Sequence, residues 1–212
     1  NQPHDAVDFA NKFLNMIFSV IDSTQKEEFN KIFQMKKSDS SLSTYIWNIT
    51  SNCKCYSQML KSQNPNFEQI PEVLIISFAL DQNQKSAFDL NSFLSLVKDN
   101  EIHNYVMAHI GTISKSSKVN HYTTFCRTSK ENVWVHFDEK PTLIYNECEH
   151  FDNDPIQLVK NAISNQRLQP VMIVYVKESE IDGYLNPIDF YYPKPDSRPV
   201  KSDESQSQSM TK

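Results

Sequence analysis

The chain has 212 residues, of which 39% are hydrophobic and 22% are charged, and its formal net charge is −5. This composition is enough for one domain with a buried core, and it excludes wholesale disorder. An acidic chain without a basic stripe does not suit general nucleic-acid binding. No apolar run reaches about 18 residues, so we expect no membrane span. The opening NQPHDAVDF lacks the basic region of a secretory signal.

Glycine and cysteine usage narrows the class of protein further. Gly111 and Gly183 are the only glycines of the sequence, which excludes a P-loop or a dinucleotide-binding loop, because both need several glycines close together. The four cysteines are too few and too scattered for a disulfide scaffold. We therefore expect free thiols and a cytoplasmic or nuclear location.

The first part of the chain combines one strong helix signal with a long irregular stretch. Apolar residues recur at helical spacing over 5–21, which predicts an amphipathic helix with a wide, Phe-rich stripe that needs a large apolar partner. Residues 26–33 fit either a short strand or a helical turn, and 36–69 are polar and irregular. The β-branched run at 71–80 predicts a buried strand.

From residue 89 onward the pattern predicts a short helix and then a β-rich region. The helix covers 89–98, with Leu90, Phe93, Leu94 and Val97 on its inner face. Short strands with polar loops of hairpin length follow at 105–114, 121–128, 133–138 and 143–145. Asp154 and Pro155 then fit the start of another helix. The run at 171–177 predicts a further buried strand.

The last part of the chain differs in composition from the rest. From residue 181 it is rich in Pro, Ser, Asp, Lys and Gln, and it cannot bury enough apolar surface to offset the cost of ordering. We therefore expect one domain over 1–180 and a disordered tail over 181–212. The aromatic segment DFYYPKP at 189–195 stands out in that tail. Local docking and a short interaction motif both remain open for it.

Two polar residues fall at the same edge of the predicted sheet. His121 opens one strand and Asp138 ends the next, and in an antiparallel hairpin these two ends lie side by side. A carboxylate there can accept the Nδ1 proton of the imidazole, which fixes the tautomer and leaves Nε2 as a base. Such a pair supplies two members of a Cys-His-Asp triad. The alternatives are a surface histidine and a turn aspartate.

The other cysteines and histidines have simpler expected roles. Cys126 lies five residues after His121 on the same strand, so the two side chains face opposite sides of the sheet. We expect Cys126 to be a core thiol. His136 alternates with apolar neighbours and is expected to face solvent, whereas His109 is expected to be satisfied within the sheet. The remaining histidines considered are expected in loops: His103 and His150.

Several segments, in the same order, resemble the C-terminal half of a ubiquitin-specific protease. HYTTF at 121–125 is similar to the family's histidine box, and WVHFD at 134–138 is similar to its W-x-x-F-[DN] segment. HDAVDF, PEVLIISF, YVMAHIGTIS and the strand PVMIVYV also resemble family segments. The likeness spans about 3–177, and the long spacing before Val171 is most similar to the subgroup described as inactive ubiquitin hydrolases.

The resemblance implies a fold, an activity and a set of site residues. The fold would be α+β, a papain-like cysteine protease with the end of the thumb, reduced fingers and an antiparallel palm sheet. His121 would be the catalytic base and Asp138 the residue that orients it, while Tyr122 and Trp134 would pack the hairpin. Asn120 stands where the family has glycine, so Asn120 and Tyr122 would line the path of the substrate tail. The partners would be ubiquitin or ubiquitinated proteins, with no nucleic acid and no membrane.

The nucleophile is the main departure from the family pattern. The family carries its cysteine in an Asn/Cys box well upstream of the helix box, and no cysteine of this chain fits that box. We therefore expect a deubiquitinase-type thiol hydrolase whose nucleophile lies on a segment preceding this chain. The alternative is a catalytically inactive pseudo-deubiquitinase acting as a ubiquitin-binding or scaffold module. Cys53 and Cys55 form only half of a four-cysteine zinc site, so we expect no metal and no cofactor.

Overall fold

The structure is a computed structural model. It describes residues 6–38, 43–50, 53, 55–62, 66–79, 88–115, 120–129, 133–138, 142–145 and 156–185. The helices are α1 (Ala6–Val20), α2 (Ser23–Phe33), α3 (Tyr56–Ser62), α4 (Ile156–Asn165) and α5 (Ile181–Tyr184), with a 3-10 turn at Glu178–Glu180 before α5. The strands are β1 (Met35–Lys37), β2 (Ser43–Thr44), β3 (Ile46–Thr50), β4 (Phe67–Gln69), β5 (Val73–Ala79), β6 (Phe93–Lys98), β7 (Glu101–Lys115), β8 (Asn120–Arg127), β9 (Val133–Phe137), β10 (Thr142–Tyr145) and β11 (Gln169–Lys177).

One large mixed sheet organises the described part of the chain. Its strand order is β10-β9-β8-β7-β11-β5-β3, and β6 also pairs with β7. Neighbouring strands are antiparallel except β3 and β5, which run parallel. A small sheet of order β2-β1-β4 stands apart from it. None of the described helices is long and apolar enough to cross a membrane.

Helices cover both faces of the large sheet, so the strands are buried between two apolar clusters. On the inner face α3 and α4 pack through Tyr56, Met59, Val159 and Ile163 against strand residues such as Ile110 and Phe125. On the outer face α1 and α2 pack against β3, β5 and β11. Full burial of such side chains contributes about 1.5–3 kcal/mol each, which makes these two layers the main source of stability.

A β-bulge in β7 decides which side chains reach each face. Tyr175 of β11 pairs with Met107, and the preceding Val174 pairs with His109, so Ala108 is the extra residue. The extra residue shifts the alternation by one. Met107 and Ile110 therefore both lie in the inner cluster although they are an odd number of residues apart. Ala108 lies in the outer cluster.

The two N-terminal helices confirm the predicted helix and show which of the two alternatives holds for the segment after it. The helix predicted over 5–21 is α1, with Leu14 buried and Phe9, Phe13, Met16 and Val20 exposed. Residues 26–33 belong to α2, not to a strand. Asp22 accepts a hydrogen bond from the Gln25 backbone while the Gln25 side chain accepts one from the Asp22 backbone, a capping box that fixes the start of α2.

Several sequence-based expectations about structure are wrong. Residues 36–69 are not irregular throughout, because β1, β2, β3, α3 and β4 lie wholly or partly within them. The tail was expected to be without structure from residue 181, but Ile181–Tyr184 is a helical turn whose Ile181 and Tyr184 pack against the outer cluster. The expected helix start at Asp154 and Pro155, and residues 186–212, lie outside the described residues.

The segment 89–98 is not a helix, because β6 pairs with the start of β7 in a tight hairpin. Lys98 pairs with Glu101, and the two residues between them, Asp99 and Asn100, both have positive φ, of 52° and 63°. Asn and Asp tolerate this left-handed conformation, which two-residue hairpin turns require. The alternation then leaves Phe93 and Val97 exposed and buries Leu96.

We predict that Asn100→Val destabilises the protein by about 1–2 kcal/mol, because a β-branched side chain at positive φ is strained. Asn100→Gly should keep the stability within about 0.5 kcal/mol of the parent, since glycine adopts this conformation without strain. The measurement is urea unfolding followed by circular dichroism. Asn104→Val, at an exposed position of β7, is the matched control. It loses only the exposed hydrogen bond from Ser95 Oγ and should cost less than Asn100→Val. If the Asn100→Val protein were as stable as its parent, the positive φ of Asn100 in this turn would be contradicted.

Candidate active site

The predicted pair is brought together at one edge of the large sheet. His121 lies near the start of β8, and Asp138 follows the last residue of β9. The β8–β9 register places Thr124 opposite Phe137, so the first residues of β8 and the residues after β9 meet at the same edge. Strand alternation puts both side chains on the inner face, with Phe125 and Trp134.

The two side chains form a short, charge-assisted hydrogen bond. His121 Nε2 lies 2.5 Å from Asp138 Oδ1. The side chains are 52% and 41% exposed, so a substrate can reach the pair. A carboxylate in this position holds the imidazole in one orientation.

The orientation of the imidazole differs from the sequence-based expectation. Asp138 was expected to accept the Nδ1 proton, but it faces Nε2. Nε2 therefore carries the proton that it donates, and Nδ1 is the nitrogen that can accept a proton from a reacting group. Residue spacing could not have supplied this detail, because either nitrogen can be reached by rotating the ring about its side-chain torsions.

A buried polar chain lies beside the pair on the same face. His136 Nε2 is 3.1 Å from Thr123 Oγ1, which is 2.7 Å from Thr112 Oγ1. The ring of His136 stacks on Phe125 at 4.1 Å. His136 is therefore buried, and the expectation that it faces solvent is wrong. Alternation of side chains does not predict exposure here, because residues on both faces of β9 are buried, Val133 and Val135 on one and Trp134 and His136 on the other.

Burial also sets the charge of His136. Loss of hydration lowers its pKa, an effect that nearby Asp138 opposes and nearby His121 reinforces. His136 is therefore held neutral beside the exposed pair. Among the described histidines, Asp138 is hydrogen-bonded to His121.

Cys126 is not in position to act with His121. It is buried on the outer face, where its Sγ lies 3.1 Å from His109 Nδ1. Burial raises the pKa of this thiol to about 11 and lowers the pKa of His109. The thiol therefore stays protonated at neutral pH and is a poor nucleophile. The structure thus agrees with the expectations of a core thiol and of a histidine satisfied within the sheet.

The remaining described cysteines lie near a different strand. Cys53 and Cys55 follow β3, which is separated from β8 by β5, β11 and β7 in the sheet. Cys53 packs against the inner cluster, and Cys55 directly precedes α3. Within the described residues no three His, Cys, Asp or Glu side chains cluster as metal ligands do. Cys148 and His150 lie outside the described part of the chain.

The residues assigned to the substrate-tail path lie on both sides of His121. Asn120 pairs with Lys115 at the beginning of β8, and Tyr122 is exposed on the opposite face from His121. Ser114 of β7 lies directly across from His121. Sequence reasoning missed Ser114 because it needs the β7–β8 register. His103, expected in a loop, lies within β7, and Trp134 is fully buried in the hairpin as expected.

Comparison with known proteins finds no sequence match and several structural ones. The chain matches no family model and no curated protein. It matches the crystal structure of an essential yeast splicing factor with a TM-score of 0.61 at 13% identity, over 84% of this chain and 50% of that one. It matches a structure of the yeast SAGA deubiquitinase (DUB) module with a TM-score of 0.58 at 14% identity, over 82% of this chain and 49% of that one.

A further match is to the SAGA DUB module containing Ubp8 and bound to monoubiquitin. Its TM-score is 0.57 at 14% identity, over 82% of this chain and 48% of that one. The chain therefore spans about half the length of the chains it matches. At this level of identity the likeness shows the fold, which is mixed α and β and like that of a ubiquitin-specific protease.

We predict that neutral His121 carries its proton on Nε2, because that atom donates to Asp138. The ¹⁵N chemical shifts of the imidazole ring distinguish the two tautomers. Asp138→Ala should convert the single tautomer into a mixture, since the acceptor is lost. His136→Gln, which leaves Asp138 in place, is the matched control and should retain the Nε2-protonated form. Protonation of Nδ1 in the parent protein would contradict this geometry.

We also predict that the protein loses stability as the pH falls below about 6.5. His136 and His109 have lowered pKa values in the folded state, so the unfolded chain binds more protons in this range. Each can contribute up to about 1.4 kcal/mol per pH unit until the folded-state pKa is reached. The free energy of unfolding should be measured by urea titration from pH 7.5 to 5.

The matched variants replace each imidazole side chain by an amide side chain, which does not titrate. His136→Gln mimics Nε2 and His109→Asn mimics Nδ1, so both can keep their hydrogen bonds without titrating. Each should reduce the slope of stability against pH, and the double variant should reduce it most. An unchanged slope in the double variant would show that neither histidine is responsible.

Proposed function

We propose that this chain is the C-terminal part of a deubiquitinase-type thiol hydrolase with a papain-like catalytic arrangement. It would cleave the bond after the C-terminal glycine of ubiquitin. The hydrogen bond from His121 Nε2 to Asp138 Oδ1, at the accessible edge of a sheet with a ubiquitin-specific-protease-like fold, carries this proposal. The pair is a general base with its orienting carboxylate, the two groups such a hydrolase needs besides its thiol.

The proposed mechanism uses the nitrogen that Asp138 leaves available. A thiol placed near Nδ1 of His121 would lose its proton to that nitrogen and attack the carbonyl carbon of the last ubiquitin glycine. Asp138 would stabilise the imidazolium that forms, and Nδ1 would then return the proton to the leaving amine. Because Cys126 faces away from His121, and Cys53 and Cys55 follow β3, which is not a neighbour of β8, the nucleophile would lie on a segment outside this chain.

The substrate tail would enter beside the first residues of β8. An extended ubiquitin tail would run past the backbone of Asn120 and His121, with hydrogen bonds to backbone groups along the cleft. Asn120 carries a side chain where glycine would let the tail approach closely, so it is expected to restrict this path. Tyr122, exposed on the other face, would support the hairpin.

Partners and location follow from the same proposal. The partners would be ubiquitin or ubiquitinated proteins, in line with a structural neighbour bound to monoubiquitin. The compartment would be the cytoplasm or the nucleus, where free thiols are maintained. No metal, cofactor, nucleic acid or membrane has a role in the proposed reaction.

A second function is a non-catalytic, ubiquitin-binding or scaffold module of the inactive subgroup. The positions of the described cysteines favour it, because Cys126 faces the outer side and Cys53 and Cys55 follow β3, which is not adjacent to β8. The likeness to an essential yeast splicing factor also favours it, because that protein is named for splicing and not for cleavage of ubiquitin. In this case His121 and Asp138 would stabilise the edge of the sheet only.

The two functions predict different results with ubiquitin that carries a C-terminal electrophile. We expect no covalent adduct with this chain, because the described thiols do not face His121. The measurement is intact-protein mass spectrometry, and each Cys→Ala variant identifies the site of any adduct. An adduct lost in one of these variants would place the nucleophile within the chain.

The protein extended upstream to the full transcript gives the second measurement. If it is a hydrolase, His121→Ala should abolish release of a fluorophore from the ubiquitin C-terminus, and Asp138→Ala should reduce it by about 10⁴-fold. Both variants should bind ubiquitin as the parent does. His103→Ala, on a different part of β7, is the control and should keep full activity. Ubiquitin binding without turnover in the parent would support the scaffold function.

A further inference from the structure

A second concave surface lies at the opposite end of β8 from the proposed active site. Here β8 ends and β6 takes its place beside β7, and the turn before α5 closes the gap. The resulting pocket has a volume of about 330 Å³. Its apolar lining includes Phe93, Val106, Ile181 and Leu185, and Arg127 and Asp182 also line it.

The apolar lining continues onto an exposed face of the β6–β7 hairpin. Phe93 pairs with Val106 and Val97 pairs with Ile102, so these side chains share one face, with the hydrogen-bonded pair Ser95 and Asn104 between them. Phe93, Val97 and Ile102 are 59%, 63% and 69% exposed. Large apolar side chains grouped in this way on a surface indicate a binding partner. We call Phe93, Val97 and Ile102, together with the pocket, the hairpin surface.

The chain's own tail is long enough to reach the hairpin surface. Leu185 lines the pocket, and the sequence continues from it towards Lys212. The aromatic group Phe190, Tyr191 and Tyr192 begins five residues later, and five extended residues span about 17 Å. The aromatic residues can therefore reach Phe93 directly from the end of α5.

The charges next to the aromatic group match those around the pocket. Asp189 precedes Phe190, and Arg127 lies in the pocket wall. Lys194 follows the aromatic group, and the pocket wall also carries the exposed acids Glu178 and Asp182. A tethered segment also acts at an effective concentration of about 1 mM, so even weak contacts keep it bound. An untethered partner or a second copy has no such advantage.

We propose that residues 189–195 dock on the hairpin surface, with the aromatic side chains over the pocket and along Phe93, Val97 and Ile102. The tail then covers an apolar surface that would otherwise be open to association. The hairpin surface is about 20 Å from His121 along β8. The proposal is therefore independent of any hydrolase activity.

The test is hydrogen exchange of the full chain, followed by mass spectrometry of peptides that cover 93–106. The variant replaces all three tail aromatics (Phe190→Ser, Tyr191→Ser and Tyr192→Ser). We expect exchange in 93–106 to become at least tenfold faster, while the circular dichroism spectrum stays unchanged. Deletion of 201–212 is the matched control, because it shortens the tail without touching the aromatic group, and it should change exchange by less than twofold.

A substitution on the hairpin surface completes the test. Phe93→Ser should give the same increase in exchange, and combining it with the tail variant should add little more, since both remove one contact. A synthetic peptide of residues 186–197 should bind the tail variant and not the parent chain, as measured by fluorescence anisotropy.

Unchanged exchange in the tail variant would overturn the proposal. Protection of 93–106 that rises with protein concentration and persists in the tail variant would also overturn it, in favour of a second copy on this surface.

Discussion

The pairing of β7 with three other strands is the constraint on which the remaining structure depends. Within 15 residues this strand bonds to β11 on one side and to β6 and then β8 on the other. Where β8 begins, the pairing sets His121 at the edge of the sheet. Where the pairing of β7 changes from β8 to β6, a gap remains beside β7, and this gap forms the pocket. The bulge at Ala108 shifts the alternation along this strand, so that Met107 and Ile110 both face the inner cluster.

The two proposed functional surfaces are separated because β8 has different surroundings at its ends. At the start of β8, polar groups gather on the inner face, with His121 and Asp138 exposed and His136 buried among threonines. At its end, apolar residues of the hairpin meet the last helical turn. A buried, neutral His136 beside an exposed pair is the arrangement that concentrates charge where a reacting group can enter. The hairpin surface has the opposite character, which suits an amphipathic aromatic segment.

The comparison of sequence and structure shows where local patterns are sufficient. The helical repeat of α1 and the β-branched run of β5 were predicted well, because each buries a face that the pattern defines. Residues 89–98 were predicted wrongly, because Leu, Phe and Val at that spacing fit a helix or a strand. This segment is a strand because it pairs with β7 through the tight turn at Asp99 and Asn100. His136 was misassigned because alternation predicts exposure only for a sheet with one covered face.

The sequence by itself determined the partnership of His121 with Asp138, because the ends of adjacent antiparallel strands must meet. It also determined that Cys126 faces away from His121, because side chains alternate along a strand. Only the tertiary structure decided which imidazole nitrogen faces Asp138, since that depends on side-chain torsions and not on spacing. It likewise decided the placement of Ser114 and the pocket beside Phe93, because strand register and the packing of α5 join residues far apart in the chain.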